Sequence, residues 1–122
     1  MSKKIDGYDY VCAPFAGDVA RNVQSAILYG KYIYSCGGVP FIPHINFMFL
    51  NEATQREVAL SLCCRAVKRA SRLWVFAPAD DVPTEGMARE IECAKEYGID
   101  IIVKDPQSLS AEYKIKEVKS DV

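Results

Sequence analysis

The sequence predicts an α/β protein in which a parallel sheet of four to five strands carries helices on both faces. Short apolar runs alternate with longer segments whose apolar residues recur at helical spacing, which gives the order strand, helix, strand, helix, strand, helix, strand. The 122 residues suffice for one core and not for two. We therefore expect a single domain, with its core over about residues 8–104 and a weakly patterned tail.

The first strand and helix have clear boundaries in the sequence. Residues 8–13 form an apolar run that Pro14 ends, and Asp18 is a typical N-cap for the helix that follows. This helix is predicted over residues 19–35. The consecutive glycines Gly37 and Gly38 then predict its C-terminal cap.

The second strand and helix are less regular. Residues 39–43 predict a short strand whose two prolines suit the margin of a sheet. The segment 44–50 is too aromatic for an ordinary solvated loop, which suggests that it covers a pocket or contacts a partner subunit. Thr54 with Glu57 three residues later predicts a capping box at the start of a helix running to about Ala70.

The second half of the chain supplies two further strands and one helix. Residues 72–77 predict the third strand, residues 84–97 an amphipathic helix, and residues 99–103 the fourth strand. After residue 104 the pattern weakens, so we expect at most one short edge element and loose final residues.

Composition excludes several classes of partner. The formal net charge of −1 gives no basic face for nucleic acid, and no run reaches the roughly 18 apolar residues that span a bilayer. The first residues lack the apolar centre of a signal peptide. The five cysteines form no CxxC motif and show no metal-ligand spacing. These features predict a cytoplasmic protein with reduced thiols that binds neither nucleic acid nor membrane.

Right-handed crossovers place the loops after the first three strands along one edge of the sheet. This edge is predicted to bring together polar and loop residues, namely Tyr10, the turn 14–18, His44, Asn46, Asp80, Asp81 and Glu90. Glu90 borders the apolar stripe of its helix, one turn from Met87 and from Ala94. Either it merely borders the core, where it reaches out to water or pairs with a basic residue, or its withdrawal from water serves chemistry.

A partly buried carboxylate, a second acid and a tyrosine around one cleft suit glycosyl transfer. Glu90 would attack the anomeric carbon, Asp81 or Asp80 would donate the proton or anchor the leaving group, and Tyr10 would orient the carboxylate. Ordinary turn chemistry before Pro83 is an alternative reading of the two aspartates. His44 is more often a packed loop residue than a general base.

Four segments resemble the nucleoside 2-deoxyribosyltransferase superfamily. They are Tyr10-Val11-Cys12-Ala13-Pro14-Phe15, residues 22–44, residues 72–78 and Gly86-Met87-Ala88-Arg89-Glu90-Ile91-Glu92-Cys93-Ala94. The resemblance implies a flavodoxin-like or Rossmann-like three-layer sandwich without metal or organic cofactor. It implies Glu90 as nucleophile, Tyr10 beside it, Asp81 (or Asp80) contacting the base, and a substrate-binding loop with Pro14 and Phe15. It also places Gly86 and Met87 at the site.

The resemblance further implies a homo-oligomer, dimer or higher, that acts on a small-molecule nucleoside or nucleotide by base exchange or hydrolysis. The family's aspartate before the third strand, which holds a sugar hydroxyl, is here Ser71. A substrate phosphate would be received near Gly17 and Arg21 at a helix N-terminus. Two alternatives remain, a module that binds a nucleotide-like ligand without chemistry and a purely structural oligomer.

Overall fold

The computed structural model describes residues 7–78 and 81–109, which contain four strands and four helices. In chain order they are β1 (Asp9–Cys12), α1 (Val19–Ser35), β2 (Pro40–Phe41), α2 (Pro43–Asn46), α3 (Arg56–Lys68), β3 (Arg72–Phe76), α4 (Glu85–Glu96) and β4 (Asp100–Lys104). One further helical turn covers residues 106–109. Within these ranges no helix has both the length and the apolar character of a membrane span.

The strands form one sheet in the order β2-β1-β3-β4, and all three pairings are parallel. The predicted α/β fold with a parallel sheet is therefore confirmed, as is the marginal position of β2. β2 pairs with one edge of β1 and β3 pairs with its other edge, so the chain reverses its direction across the sheet after β2. Such a change of direction is where open α/β sheets bind their ligands, outside the carboxyl ends of the strands.

Alternating side chains of β1 and β3 build a core on each face of the sheet. Tyr10, Cys12, Leu73 and Val75 point to the face that α3 and α4 cover. Their neighbours in sequence, which include Trp74, belong to the core beneath α1 and the turn 106–109. Both faces are thus covered, which explains why these strands are continuously apolar.

Local signals set both ends of α1 as the sequence predicts. The Asp18 side chain accepts a hydrogen bond from the Arg21 N–H at 3.3 Å. At the other end Gly37 has φ +91°, and the N–H groups of Gly37 and Gly38 bond to the carbonyls of Tyr34 and Ile33. This is the Schellman arrangement, in which a glycine adopts the left-handed conformation that closes a helix.

A buried carboxylate joins three elements at the amino end of the sheet. Asp9 is 1% exposed, and its Oδ1 accepts from Arg72 Nε at 2.6 Å and from Trp74 Nε1 at 3.0 Å. Its Oδ2 accepts from the Val39 N–H at 3.0 Å. Burial raises the pKa of Asp9, but these hydrogen bonds outweigh burial and leave the pKa below its usual value. The carboxylate therefore ties the edge strand to β3.

We expect Gly38→Ala to destabilise the protein, because a Cβ there would lie 2.6 Å from Asp9 Oδ2 and 2.8 Å from Ile33 Cγ2. Overpacking of this kind costs about 1–3 kcal/mol of unfolding free energy, measured by urea denaturation. Gly86→Ala is the control, since its Cβ meets only Leu60 at 3.6 Å. An unfolding free energy of Gly38→Ala equal to that of the wild type would contradict this account.

The predicted capping box at α3 is wrong. The helix begins at Arg56, with Gln55 as an N-cap that makes no side-chain capping bond. The Thr54 N–H instead bonds to Asn51 Oδ1 at 3.2 Å, within a turn that the Gln55 side chain closes by accepting from the Asn51 N–H at 2.8 Å. The sequence reading also missed α2, which has Pro43 in its first turn.

Candidate functional site

Glu90 lies on the buried face of α4. Thr84 caps this helix, its hydroxyl accepting from the Met87 N–H at 3.2 Å. Met87, Glu90 and Ala94, spaced three and four residues apart, lie on the buried face of the helix. Glu90 is only 8% exposed. Its carboxyl group is thus enclosed by protein and does not reach out to bulk solvent.

Tyr10 holds this carboxyl group. Its hydroxyl donates a hydrogen bond to Glu90 Oε2 at 2.7 Å, linking residues 80 positions apart in the chain. The tyrosine has no exposed surface, and its ring stacks on Phe41 with the centroids 5.5 Å apart. Because the central strand and the ring contact both restrict Tyr10, the donor is fixed before any ligand arrives.

Burial raises the pKa of the Glu90 carboxyl to about 7, although hydrogen bonds from Tyr10, Cys12 and Cys63 favour the ionised form. The same burial raises the pKa of Cys63 to about 12, with the Glu90 charge adding to the effect. It also holds the pKa of Tyr10 well above its usual value. Near neutral pH the neighbours therefore remain protonated donors, while Glu90 exchanges its proton.

Glu90 borders a cavity of about 130 Å³ at the carboxyl end of β1. The cavity lies between the segment after β1, the region of α2, the first two turns of α3 and the start of α4. Its lining residues are Ala13, Phe15, Ala16, Pro43, His44, Phe47, Leu50, Glu52, Arg56, Ala59, Leu60, Cys63, Thr84, Glu85, Gly86, Met87 and Glu90. Its walls are mainly apolar, with a few polar groups, as in small-molecule sites.

The charged lining residues other than Glu90 lie where the cavity meets solvent. Arg56 is 42% exposed, and its Nη2 is 3.0 Å from Glu85 Oε1 while its Nη1 is 3.5 Å from Glu52 Oε2. The glutamates are 68% and 40% exposed, respectively. The cavity therefore has a charged mouth and an enclosed carboxyl group at its inner end.

His44 lines the cavity, and one of its ring nitrogens is already hydrogen-bonded to the protein backbone. Its Nε2 lies 2.8 Å from the Pro14 carbonyl and therefore donates to it, while Nδ1 has no hydrogen-bond partner among the described residues. Burial lowers the pKa of His44, against the pull of the Pro14 and Ala13 carbonyls. The ring is neutral near pH 7 and also packs edge-on against Phe15 at 5.5 Å.

The structure brings together some of the predicted site residues and separates others. Five of them line the cavity, namely Phe15, His44, Gly86, Met87 and Glu90. Tyr10 does not line it but hydrogen-bonds to Glu90, and Pro14 contributes its carbonyl to His44. Four predicted residues are exposed and do not line it, namely Gly17, Arg21, Asn46 and Asp81. The predicted Asp80 lies outside the described residues.

Ser71 is the clearest departure from the predicted site. It directly precedes β3, and its N–H bonds to the Tyr8 carbonyl at 2.7 Å. It therefore lies at the amino edge of a parallel sheet, whereas the cavity is at the carboxyl edge. A role for Ser71 in holding the same ligand as Glu90 does not fit this placement.

Sequence reasoning missed the contribution of α3. One side of the cavity is lined by residues of this helix at helical spacing, namely Arg56, Ala59, Leu60 and Cys63. Their periodicity predicts a buried stripe but does not show that the stripe borders a cavity. Among the described residues no group of three or more His, Cys, Asp or Glu side chains is placed to hold a metal ion.

Fold and site together define the class of protein: a parallel α/β domain with a mainly apolar cavity and a buried, tyrosine-bound carboxyl group at its switch point. Residues 8–104 match the family model DUF7768, described as a domain of unknown function. The chain belongs to this family. No curated protein and no solved structure matches it.

We expect Tyr10→Phe to raise the pKa of Glu90 above about 7, because the variant removes the 2.7 Å donor that favours the ionised carboxylate. The lost hydrogen bond should also cost about 1 kcal/mol of stability. Carbon-13 NMR of labelled glutamate side chains measures the titration. Tyr8→Phe is the control, since that hydroxyl bonds to the Ala66 carbonyl instead. An unmoved Glu90 titration in Tyr10→Phe would refute the assigned contact.

Proposed function

We propose that this domain cleaves or exchanges the N-glycosidic bond of a nucleoside or nucleotide, with Glu90 as the nucleophile. The observation that carries the proposal is the enclosed Glu90 carboxyl, bonded to Tyr10 at 2.7 Å and bordering a cavity. A carboxyl group withdrawn from water is costly to keep, which makes its position beside a cavity a sign of chemistry. The resemblance to nucleoside 2-deoxyribosyltransferases supports the same role.

The proposed reaction proceeds in two displacements. The ionised Glu90 carboxylate attacks the anomeric carbon, and the bond from that carbon to the base nitrogen breaks with its electron pair. The base leaves through the mouth and takes a proton from water there. Water or a second base then displaces the carboxylate from the sugar, which gives hydrolysis or exchange. The Tyr10 hydroxyl keeps the attacking carboxylate in one orientation during both steps.

Of the two predicted proton donors, Asp80 lies outside the described residues and Asp81 does not line the cavity. Asp81 is also exposed, so the proposed reaction takes the proton for the base from water at the mouth. This observation favours a second candidate, a module that binds a nucleoside-like ligand in the cavity and leaves it intact. The two candidates make opposite predictions about the fate of a bound nucleoside.

The test is incubation of the protein with deoxynucleosides, ribonucleosides and their 5′-monophosphates, followed by chromatography for free base and mass spectrometry of the intact protein. The enzyme releases base and carries a pentosyl adduct during turnover. If the domain is a binding module, a bound nucleoside raises the melting temperature of the protein, yet every nucleoside is recovered intact. Recovery of intact substrate under all conditions would rule out the glycosidic activity.

A further inference from the structure

One face of α3 runs from the mouth of the cavity to its inner end. Arg56 at the start of the helix is 42% exposed. Cys63, seven residues later, lines the same cavity as the enclosed Glu90 carboxyl. At 1.5 Å per residue these positions are about 10 Å apart along the helix. That is about the length of a nucleoside, so a sugar at Glu90 would place its base near Arg56.

At the mouth, Arg56 connects the starts of α3 and α4. Its Nη2 contacts Glu85 Oε1 at 3.0 Å, and its Nη1 contacts Glu52 Oε2 at the longer distance of 3.5 Å. Exposed ion pairs of this kind are worth at most about 1 kcal/mol, so they rearrange at little cost. The guanidinium group carries five N–H donors, more than these contacts use. Arg56 and Glu85 thus present N–H donors beside a carboxylate acceptor at the mouth.

We infer that Arg56 and Glu85 determine specificity by binding the polar edge of the ligand's base, an inference that rests on the proposed function. The edges of nucleobases place hydrogen-bond donors next to acceptors, and guanidinium and carboxylate groups match them pairwise. A site built to make such bonds rejects ligands that cannot form them, because its own groups are then left unpaired.

A phosphate fits this mouth less well than a base edge. The mouth carries one guanidinium and two carboxylates, which gives it a net charge of −1. A phosphate at Arg56 would displace Glu85 and Glu52 while remaining close to both. The start of α4, where anions are usually favoured, already holds the Thr84 cap and the Glu85 carboxylate. A neutral base edge meets no such repulsion.

The chain offers a matched control for Arg56. Arg89 also joins α4 to α3, with its Nη1 at 3.4 Å from Glu57 Oε1, and it is 40% exposed. Arg89 and Glu57 do not line the cavity. Replacing Arg89 removes a comparable link between the same two helices without touching the mouth. A structural effect would therefore be shared by both arginine variants, and a specificity effect would not.

The experiment compares the wild type, Arg56→Gln, Arg89→Gln and Glu85→Gln in base release from deoxyadenosine, deoxyguanosine, deoxycytidine, thymidine and their 5′-monophosphates. We expect Arg56→Gln to lower kcat/KM by about 10- to 100-fold, mostly through KM, and to flatten the preference among the bases. Glu85→Gln should change which base is preferred. Arg89→Gln should keep the wild-type KM and preference.

Two outcomes overturn the inference while the proposed function stands. Either Arg56→Gln and Arg89→Gln share the wild-type base preference, or Arg56→Gln abolishes a wild-type preference for monophosphates, which would assign Arg56 to phosphate. Calorimetric titration of the wild type with the same nucleosides separates the remaining cases. If the wild type binds them without releasing base, an equal loss of affinity in both arginine variants overturns the inference. If it binds none, inference and proposed function fall together.

Discussion

Glu90→Gln is expected to abolish base release and the pentosyl adduct while leaving the protein folded. Glutamine has nearly the same shape and still accepts the Tyr10 hydrogen bond, but its amide is a far weaker nucleophile than a carboxylate. Removing the group that forms a covalent intermediate lowers kcat by roughly 1,000-fold or more. Chromatographic assay of free base and mass spectrometry of the intact protein measure the two losses separately.

Glu92→Gln is the matched control, because Glu92 is on the same helix and is exposed. It removes one carboxylate from α4 and should retain wild-type turnover. If Glu90→Gln released base at the wild-type rate, Glu90 would not be the nucleophile. If it lost turnover but still carried a pentosyl adduct, another side chain would be the point of attachment.

Local signals predicted those parts of the fold that local chemistry decides. Asp18 caps α1 and Gly37 ends it, because a capping carboxylate and a left-handed glycine act on the few residues around them. The same reasoning failed at Thr54, where Asn51 and Gln55 close a competing turn before α3 begins. Asparagine and glutamine side chains made that turn better than the hydroxyl made a cap.

The sequence predicted only part of the candidate site. The position of Glu90 on its helix predicted a carboxyl group at the border of the core, and the family resemblance implied Tyr10 beside it. Asp81 follows the same strand edge, but the direction of a loop side chain depends on contacts that no pattern encodes. The approach of α3 to α4 is also a tertiary property, so Arg56 and Cys63 carried no signal of their own.

The stability of the wild type is expected to fall by about 3 kcal/mol as pH rises from about 4.5 to about 7, through Glu90 alone. The folded-state pKa of this carboxyl lies above its unfolded value, so the folded protein binds the proton more tightly over this interval. The stabilisation by protonated Glu90 is complete below the pKa of this group in the unfolded chain, and it is lost once pH passes the pKa of the group in the folded protein. Urea denaturation at a series of pH values measures it.

The contribution of Glu90 appears as the difference between the wild-type and Glu90→Gln unfolding free energies. His44 changes stability in the opposite sense, because burial lowers its folded-state pKa and stability is then lost as pH falls. This effect is common to both proteins and cancels in the difference. The difference should therefore decline between about pH 4.5 and 7 and be flat above. A flat difference throughout would mean that Glu90 titrates as it does in the unfolded chain, and a carboxyl with that freedom is not enclosed beside Tyr10.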